Sequence, residues 1–414
     1  MAPGRGTPRE EARRNQRERL FAAMVAVTAE KPYAETSVAD LVELSGVSSR
    51  SFYQHFADKE ECFLATMDEI LTTTRRFAEG ALEAGGKRGV AETAVQALLA
   101  AAIAQPAAAK LCTVTAFSAG EAPRERIGQA VAELSEMLQR GLDELPARER
   151  MPEELTQAIF GGVSLVLYRR LARDEIDALS EVGRGLCRWV VSIPPPPGSL
   201  RGRSRRLGGA AQPGQPPLAA HVPAERILRA FAAVVAEKGY AAATIAEVAA
   251  EAHISQATFY KYFRDKADAL QAALDSSGAQ MVAAALPAVR REPAWPAAVR
   301  VALESLCAFM AAEPVFAYLR EVEVYAVGPD AVAQRDSARG EIVAMLAGVA
   351  EAEEAISAFD PIAVEATLGA FQSLLYARIQ AGRLGALTDV PPIVTYLGLA
   401  PVLGAEEAWK VACG

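Results

Sequence analysis

Two stretches of the chain bring similar polar groups together in the same order: SSRSFYQHFADKE at 48–60 and SQATFYKYFRDKA at 255–267. Each opens on small or amide side chains, passes through a Phe-Tyr pair and closes on Asp-Lys. Arginine pairs best with guanine and glutamine with adenine, while lysines and helix N-termini suit phosphate. The chemistry on offer is recognition. No comparable set suggests catalysis: 66–190 and 273–410 hold no Ser-His-Asp constellation, no phosphate-cradling glycine loop and no metal cluster. The three histidines, His55, His221 and His253, stand at no ligand spacing from one another or from a cysteine. No zinc and no other cofactor is expected. Five scattered cysteines without a C-x-x-C pair argue against a disulfide framework and for a reducing, cytoplasmic compartment.

These residues need elements to hold them. Leu20, Met24 and Val27 recur at helical spacing, and Ile227, Phe231 and Val234 repeat them, so a first amphipathic helix opens each stretch. Ser37 with Asp40, and Thr244 with Glu247, form capping boxes that begin a second helix. Gly46 tolerates the left-handed backbone that closes it. Ser48 caps a short third helix in which Phe52 and Phe56 lie one turn apart and pack inward, and Asp58 and Asp265 cap a fourth. Helix, tight turn, helix is the unit that enters the major groove of DNA, its second helix offering N-terminal residues to base edges.

The repetition covers more than the motif. Residues 19–64 align with 226–271 without a gap at about one identity in three, a match too long for chance. Further on, Gln105-Pro106 meets Glu313-Pro314, Met137-Leu138 meets Met345-Leu346, and 159–171 meets 367–379. Each copy is therefore a whole domain rather than a stacking unit. Between the copies, 194–222 is rich in Pro, Gly and Ala and has no acidic residue, the composition of a linker. A length of 414 residues agrees with more than one core, and the Ala, Leu and Glu content favours helix. The expectation is an all-α chain: a flexible basic arm at 1–15, DNA-binding domains at 16–62 and 223–269, and helical domains at 63–193 and 270–414.

Both SFYQHFADKEE and TFYKYFRDKAD resemble the signature of TetR-family transcriptional regulators. The resemblance implies, for each copy, a three-helix DNA-binding domain followed by a helical ligand-binding and dimerising domain. It implies that Tyr53 and Tyr260 hydrogen-bond phosphate and that Lys59 and Lys266 neutralise backbone charge. Base reading falls to Ser48, Ser49, Arg50 and Ser51 in the first copy and to Ser255, Gln256, Ala257 and Thr258 in the second. Ser37, His55, Thr244 and Lys261 complete the expected DNA-facing set. Two positions depart from the family: Arg50 stands where a small residue is usual, and His253 where glycine is usual. A left-handed His253 costs about 1 kcal/mol.

The resemblance also implies a cavity for a small-molecule effector. Cys112, Thr113, Thr115 and Phe117 correspond to Arg320, Glu321, Glu323 and Tyr325, a disagreement that suggests two different cavities or one used and one idle. The last two helices of each copy, beginning near Glu154 and Pro361, carry Gly161, Gly162, Gly369 and Ala370. Small residues permit close approach, and the family dimerises through this region. The two modules are expected to pack as an intramolecular pseudo-dimer.

Charge fits a local interface. The net charge is −8, yet residues 1–59 hold nine basic groups against eight acidic, and 267–414 hold nine against eighteen. Acidic helical domains would keep the far face off DNA. Arg5, Arg9, Arg13, Arg14, Arg17 and Arg19 supply an N-terminal source of positive charge. Glu10, Glu11 and Glu18 interrupt any leader-like pattern there, and no apolar run is expected to approach a membrane span. The partners expected are a double-stranded operator, an unidentified effector and the chain's own second module, without a membrane. The expected function is a ligand-responsive repressor reading unlike half-sites roughly 34–36 Å apart. The alternative is a ligand- or partner-binding protein of the same fold that has lost operator recognition.

Overall fold

The computed structural model describes residues 8–85, 90–143, 151–202, 223–337, 340 and 360–414. Among the described residues all regular structure is helical, as the composition predicts. The chain divides into two units, Met1–Gly141 with Leu167–Arg184, and Leu142–Val166 with Gly185–Gly414.

In the first unit α1 runs over Pro8–Glu30, α2 over Val38–Ser45 and α3 over Ser49–His55. The arm expected to be flexible at 1–15 is helical from Pro8 onward. Proline is preorganised for a first helical turn, and Glu10 and Glu11 complement the positive end of the helix dipole there. Arg5 lies outside the described residues. Leu20, Met24, Leu41, Phe52, Phe63 and Met67 are fully buried and knit α1, α2, α3 and α4 (Lys59–Gly85) together. Because α4 runs on for 27 residues, the expected border at 62/63 falls inside one helix. Helices α5 (Val90–Ala104), α6 (Pro106–Lys110), α7 (Ala116–Ser118) and α8 (Glu121–Asp143) follow, with a π turn at Leu111–Thr115.

Helices α9 (Glu153–Ala172) and α10 (Leu179–Ser192) are shared between the units, so the expected border at 193 is not where the chain divides. The second unit continues through α11 (Pro223–Lys238), α12 (Ile245–Glu251), α13 (Gln256–Tyr262) and α14 (Lys266–Val289). After α15 (Trp295–Ala312) and α16 (Pro314–Tyr318) comes a second π turn, Leu319–Glu323, then α17 (Val324–Val327). The chain closes on α18 (Pro361–Gln380), α19 (Val390–Leu403) and α20 (Ala405–Cys413). Met345 and Leu346 lie outside the described residues.

Within this second unit α9 meets α18 at the small residues. A Cβ on Gly162 would come within 2.5 Å of the Ala366 carbonyl oxygen, one on Gly369 within 3.0 Å of the Gly162 carbonyl, and one on Gly161 would collide with Ser373. Arg188 on α10 pairs with Asp360 at 2.8 Å. The linker is also less free than its composition predicts, since residues 194–202 are docked. Tyr396 donates to the Pro194 carbonyl at 2.8 Å, Trp409 Nε1 donates to the Ser199 carbonyl at 3.2 Å, and Leu200 is buried. Residues 203–222 of the expected linker lie outside the described residues.

One expectation is overturned outright. Trp295–Ala312 and Leu384–Leu403 are, by length and composition, long and apolar enough to cross a membrane. The sequence reading missed them because isolated charges such as Arg300 and Glu304, and the prolines 391, 392 and 401, break up runs that are apolar on average. Most of Leu384–Leu403 is buried inside the protein.

Candidate nucleic-acid interface

The two motifs are built alike from their caps. Ser37 accepts the Asp40 amide while Asp40 accepts the Ser37 amide, and Thr244 and Glu247 repeat the exchange. The ammonium of Lys31 sits 2.7 Å from Asp40 and that of Lys238 2.5 Å from Glu247. Hydrogen bonds from Lys238 and from Thr244 hold the Glu247 carboxyl down to about 2, and the equivalent bonds to Lys31 and Ser37 hold Asp40 well below the usual range. Helix α2 closes on Gly46 at φ +63°. His253 takes the same left-handed conformation at φ +53°, so the second motif carries the strain that its sequence implies.

Ser48 caps α3 by accepting the Ser51 amide, and Ser255 caps α13 by accepting that of Thr258. The hydroxyls of each pair also bond to one another, at 3.0 Å and 2.9 Å. Four of the eight expected base readers are therefore engaged in building the helix start. Phe52 and Phe259 are fully buried beneath, with Tyr53 and Tyr260 set edge-on against them and 60% and 54% exposed. Ser49 and Arg50 in the first motif, and Gln256 and Ala257 in the second, share the exposed face with these tyrosines. Lys261 is exposed beside Tyr260.

Three expected DNA contacts sit differently. Lys59 Nζ donates to the carbonyls of Tyr33 and Thr36 at 3.0 and 2.8 Å and lies 4.4 Å from the centre of the Tyr33 ring. Lys266 Nζ donates to the carbonyls of Tyr240, Ala241 and Ala243 at 2.6, 3.3 and 3.2 Å and lies 4.4 Å from the Tyr240 ring centre. Each lysine thus clamps the loop that leads into its second helix, and Lys266 has a carbonyl for each of its three protons. His55 is half-buried, its Nε2 3.1 Å from Gln16 on α1. Burial, and then the charges of Arg13 and Arg17, lower its pKa and so favour the neutral ring. Its counterpart Tyr262 is 44% exposed.

The expected effector positions fall on or just beyond the two π turns, a kind of irregularity that recurs at functional sites. In the first, Cys112 and Thr115 are buried, burial pushes the Cys112 thiol up to about 12, and Thr113 donates to the Ala109 carbonyl. Phe117 stands edge-on to Tyr168. In the second, Arg320, Glu321, Glu323 and Tyr325 are all buried within a polar network. Arg320 donates to the Leu274 carbonyl at 2.6 Å, and Arg335 lies 3.7 Å from Glu321, 2.8 Å from Asp336 and over the Tyr325 ring. Gln372 donates to Asp336 at 3.0 Å. Burial opposes the charge of Arg335, but Tyr325, Asp336 and Glu321 outweigh it.

Sequence reasoning did not find Arg335, Asp336, Gln372 or the two tyrosine clamps. Tyr33 and Tyr240, being identical between copies as Lys59 and Lys266 are, carried a readable signal. Arg335 and Asp336 align with Ile127 and Gly128, a paired change to opposite charges that only the fold reveals as one event.

The description "Bacterial regulatory proteins, tetR family" matches the chain twice, at residues 20–66 and 227–273. These segments contain both helix-turn-helix units. No curated protein matches the chain. Among solved structures, a TetR-like transcriptional regulator from Rhodococcus sp. RHA1 is 21% identical, covers 45% of this chain and 99% of its own, and has a TM-score of 0.34, a likeness too weak to bear on the argument.

Proposed function

The chain carries two tetR-family DNA-binding domains in tandem, and on that premise we propose that it is a ligand-responsive repressor whose two motifs read unlike half-sites of one operator. At the coarser level it is a DNA-binding transcriptional regulator. The observation that carries the finer reading is the contrast on the exposed face of the recognition helices. Caps, buried phenylalanines and exposed tyrosines coincide, whereas Ser49 and Arg50 in the first motif correspond in sequence to Gln256 and Ala257 in the second. Arg50 suits guanine and Gln256 adenine, while Tyr53 and Tyr260 suit phosphate.

Pairing of the modules within one chain belongs to the same proposal, supported by the approach of α9 to α18 at Gly162 and Gly369 inside the second unit. A tether keeps the partner at roughly millimolar effective concentration. The effector reading rests on the π turns beside both motifs, and a cytoplasmic, non-catalytic role is part of the same proposal. Binding to a DNA fragment flanking the protein's gene, followed over several salt concentrations with the complex sized by light scattering, tests this reading. One chain per site with affinity falling steeply as salt rises supports it. Binding that ignores salt, or two chains on one site, contradicts it.

A further inference from the structure

Glu323 joins the helical domain of the second module to its DNA-binding motif. It stands at the end of the second π turn, is 3% exposed, and its Oε1 accepts the Tyr240 backbone amide at 2.6 Å. The geometry depends on Gly239, whose φ of +80° ends α11 and whose Cβ position lies 3.3 Å from the same oxygen. Tyr240 begins the loop that Lys266 clamps through the carbonyls of Tyr240, Ala241 and Ala243. That loop ends at Thr244, the cap of α12. A second tie lies nearby, where Arg229 on α11 pairs with Glu313 at 2.7 Å. At the aligned positions the first module has Thr115 for Glu323, Pro32 for Gly239, Ala22 for Arg229 and Gln105 for Glu313, so it has none of the charged side chains that make these ties.

We propose that Glu323 is a positioning residue for DNA recognition by the second motif: its carboxylate oxygen, by holding the Tyr240 amide, fixes the loop from which α12 and α13 are presented. The inference rests on the reading that the second motif binds DNA. The bond demands an acceptor at one point in space, and either a carboxylate or an amide oxygen satisfies it. Glu323→Gln keeps that oxygen and removes the charge. Glu323→Asp keeps the charge and withdraws the oxygen by one bond of roughly 1.5 Å, beyond hydrogen-bonding reach.

The test uses the full chain on a DNA fragment that wild type protects at both half-sites, with hydroxyl-radical protection read half by half. Glu323→Asp is expected to lose protection at the half-site read by 255–258, with affinity falling at least about tenfold, while the half-site read by 48–51 stays protected. Glu323→Gln is expected to protect both half-sites and to bind within about threefold of wild type. In the free protein the Tyr240 amide should exchange faster in Glu323→Asp and not in Glu323→Gln. Full protection by Glu323→Asp, or loss by Glu323→Gln, overturns the proposal, because a role for the charge alone predicts that inverse pattern. Wild type protecting no DNA would instead defeat the functional reading on which the proposal stands.

Discussion

The seam between DNA-binding motif and helical domain is built twice from opposite materials. In the first module Leu111, Cys112 and Ala116 belong to the same apolar cluster as Leu20, Met24 and Phe52, with Ile70 and Ile127 packed against it. In the second the positions of Cys112 and Ile127 hold Arg320 and Arg335, buried with Glu321 and Tyr325. An apolar seam is non-directional and tolerates small shifts. An ionic one is satisfied only when every partner is in place, because a buried charge left alone is far costlier than the pair. Two copies of one fold have thus arrived at a forgiving joint and an exacting one, while the motifs themselves stayed alike.

The largest test of that contrast is Arg335→Met. Removing Arg335 takes the cation away from the buried carboxylate of Glu321 and from Asp336 and is expected to cost the second module about 3–5 kcal/mol in chemical denaturation. Replacing Arg320, Glu321 and Arg335 together by methionine should cost less than Arg335→Met alone, since both buried arginines and the carboxylate beside them go at once. Equal or additive losses would mean that the network acts as separate contacts and that the joint is not exacting.

A smaller effect separates the two turns. His253→Gly relieves a left-handed non-glycine residue and should stabilise the second motif by about 1 kcal/mol. Gly46→Ala should destabilise the first, because φ is +63° and the added Cβ would come within 2.6 Å of the Arg19 guanidinium. Thermal unfolding of the two variants should move in opposite directions.

The smallest effect is one in which the modules should agree. The carboxyl of Glu247 has its pKa lowered by Lys238 and Thr244, and that of Asp40 by Lys31 and Ser37. A lowered carboxylate pKa contributes stability that is complete above the unfolded value and lost as pH falls through the folded one. Both capping boxes should therefore weaken from about pH 4.5 for Glu247 and pH 3.8 for Asp40 downward. Glu247→Gln should flatten the acid dependence of the second module only.

Much of this was legible in the sequence, and for a local reason. Ser37, Ser48, Thr244 and Asp265 cap the helices that their spacing predicts, because a capping box is decided within four residues of chain. Gly46 and His253 were readable in the same way. What could not be read depends on distant partners. Lys59 and Lys266 look like phosphate ligands until the fold brings carbonyls 23 and 26 residues upstream into reach. His55 looks exposed until α1 is seen to begin at Pro8 and to bring Gln16 beside it. Arg320 and Glu321, read as lining a cavity, turn inward on Arg335, which no spacing rule connects to them. Residues 194–202 have a linker's composition, yet Trp409 and Tyr396, two hundred residues on, hold them.

The central claim is that two similarly built motifs read different bases, and selection of bound sequences from a random DNA pool tests it most directly. Wild type is predicted to select two unlike half-sites, with Arg50 and Gln256 each contributing about 1–3 kcal/mol of preference. Exchanging residues 48–51 with 255–258 is predicted to reverse the polarity of the selected site. A perfect palindrome from wild type, or an exchanged protein that selects the site in its original orientation, would contradict the account.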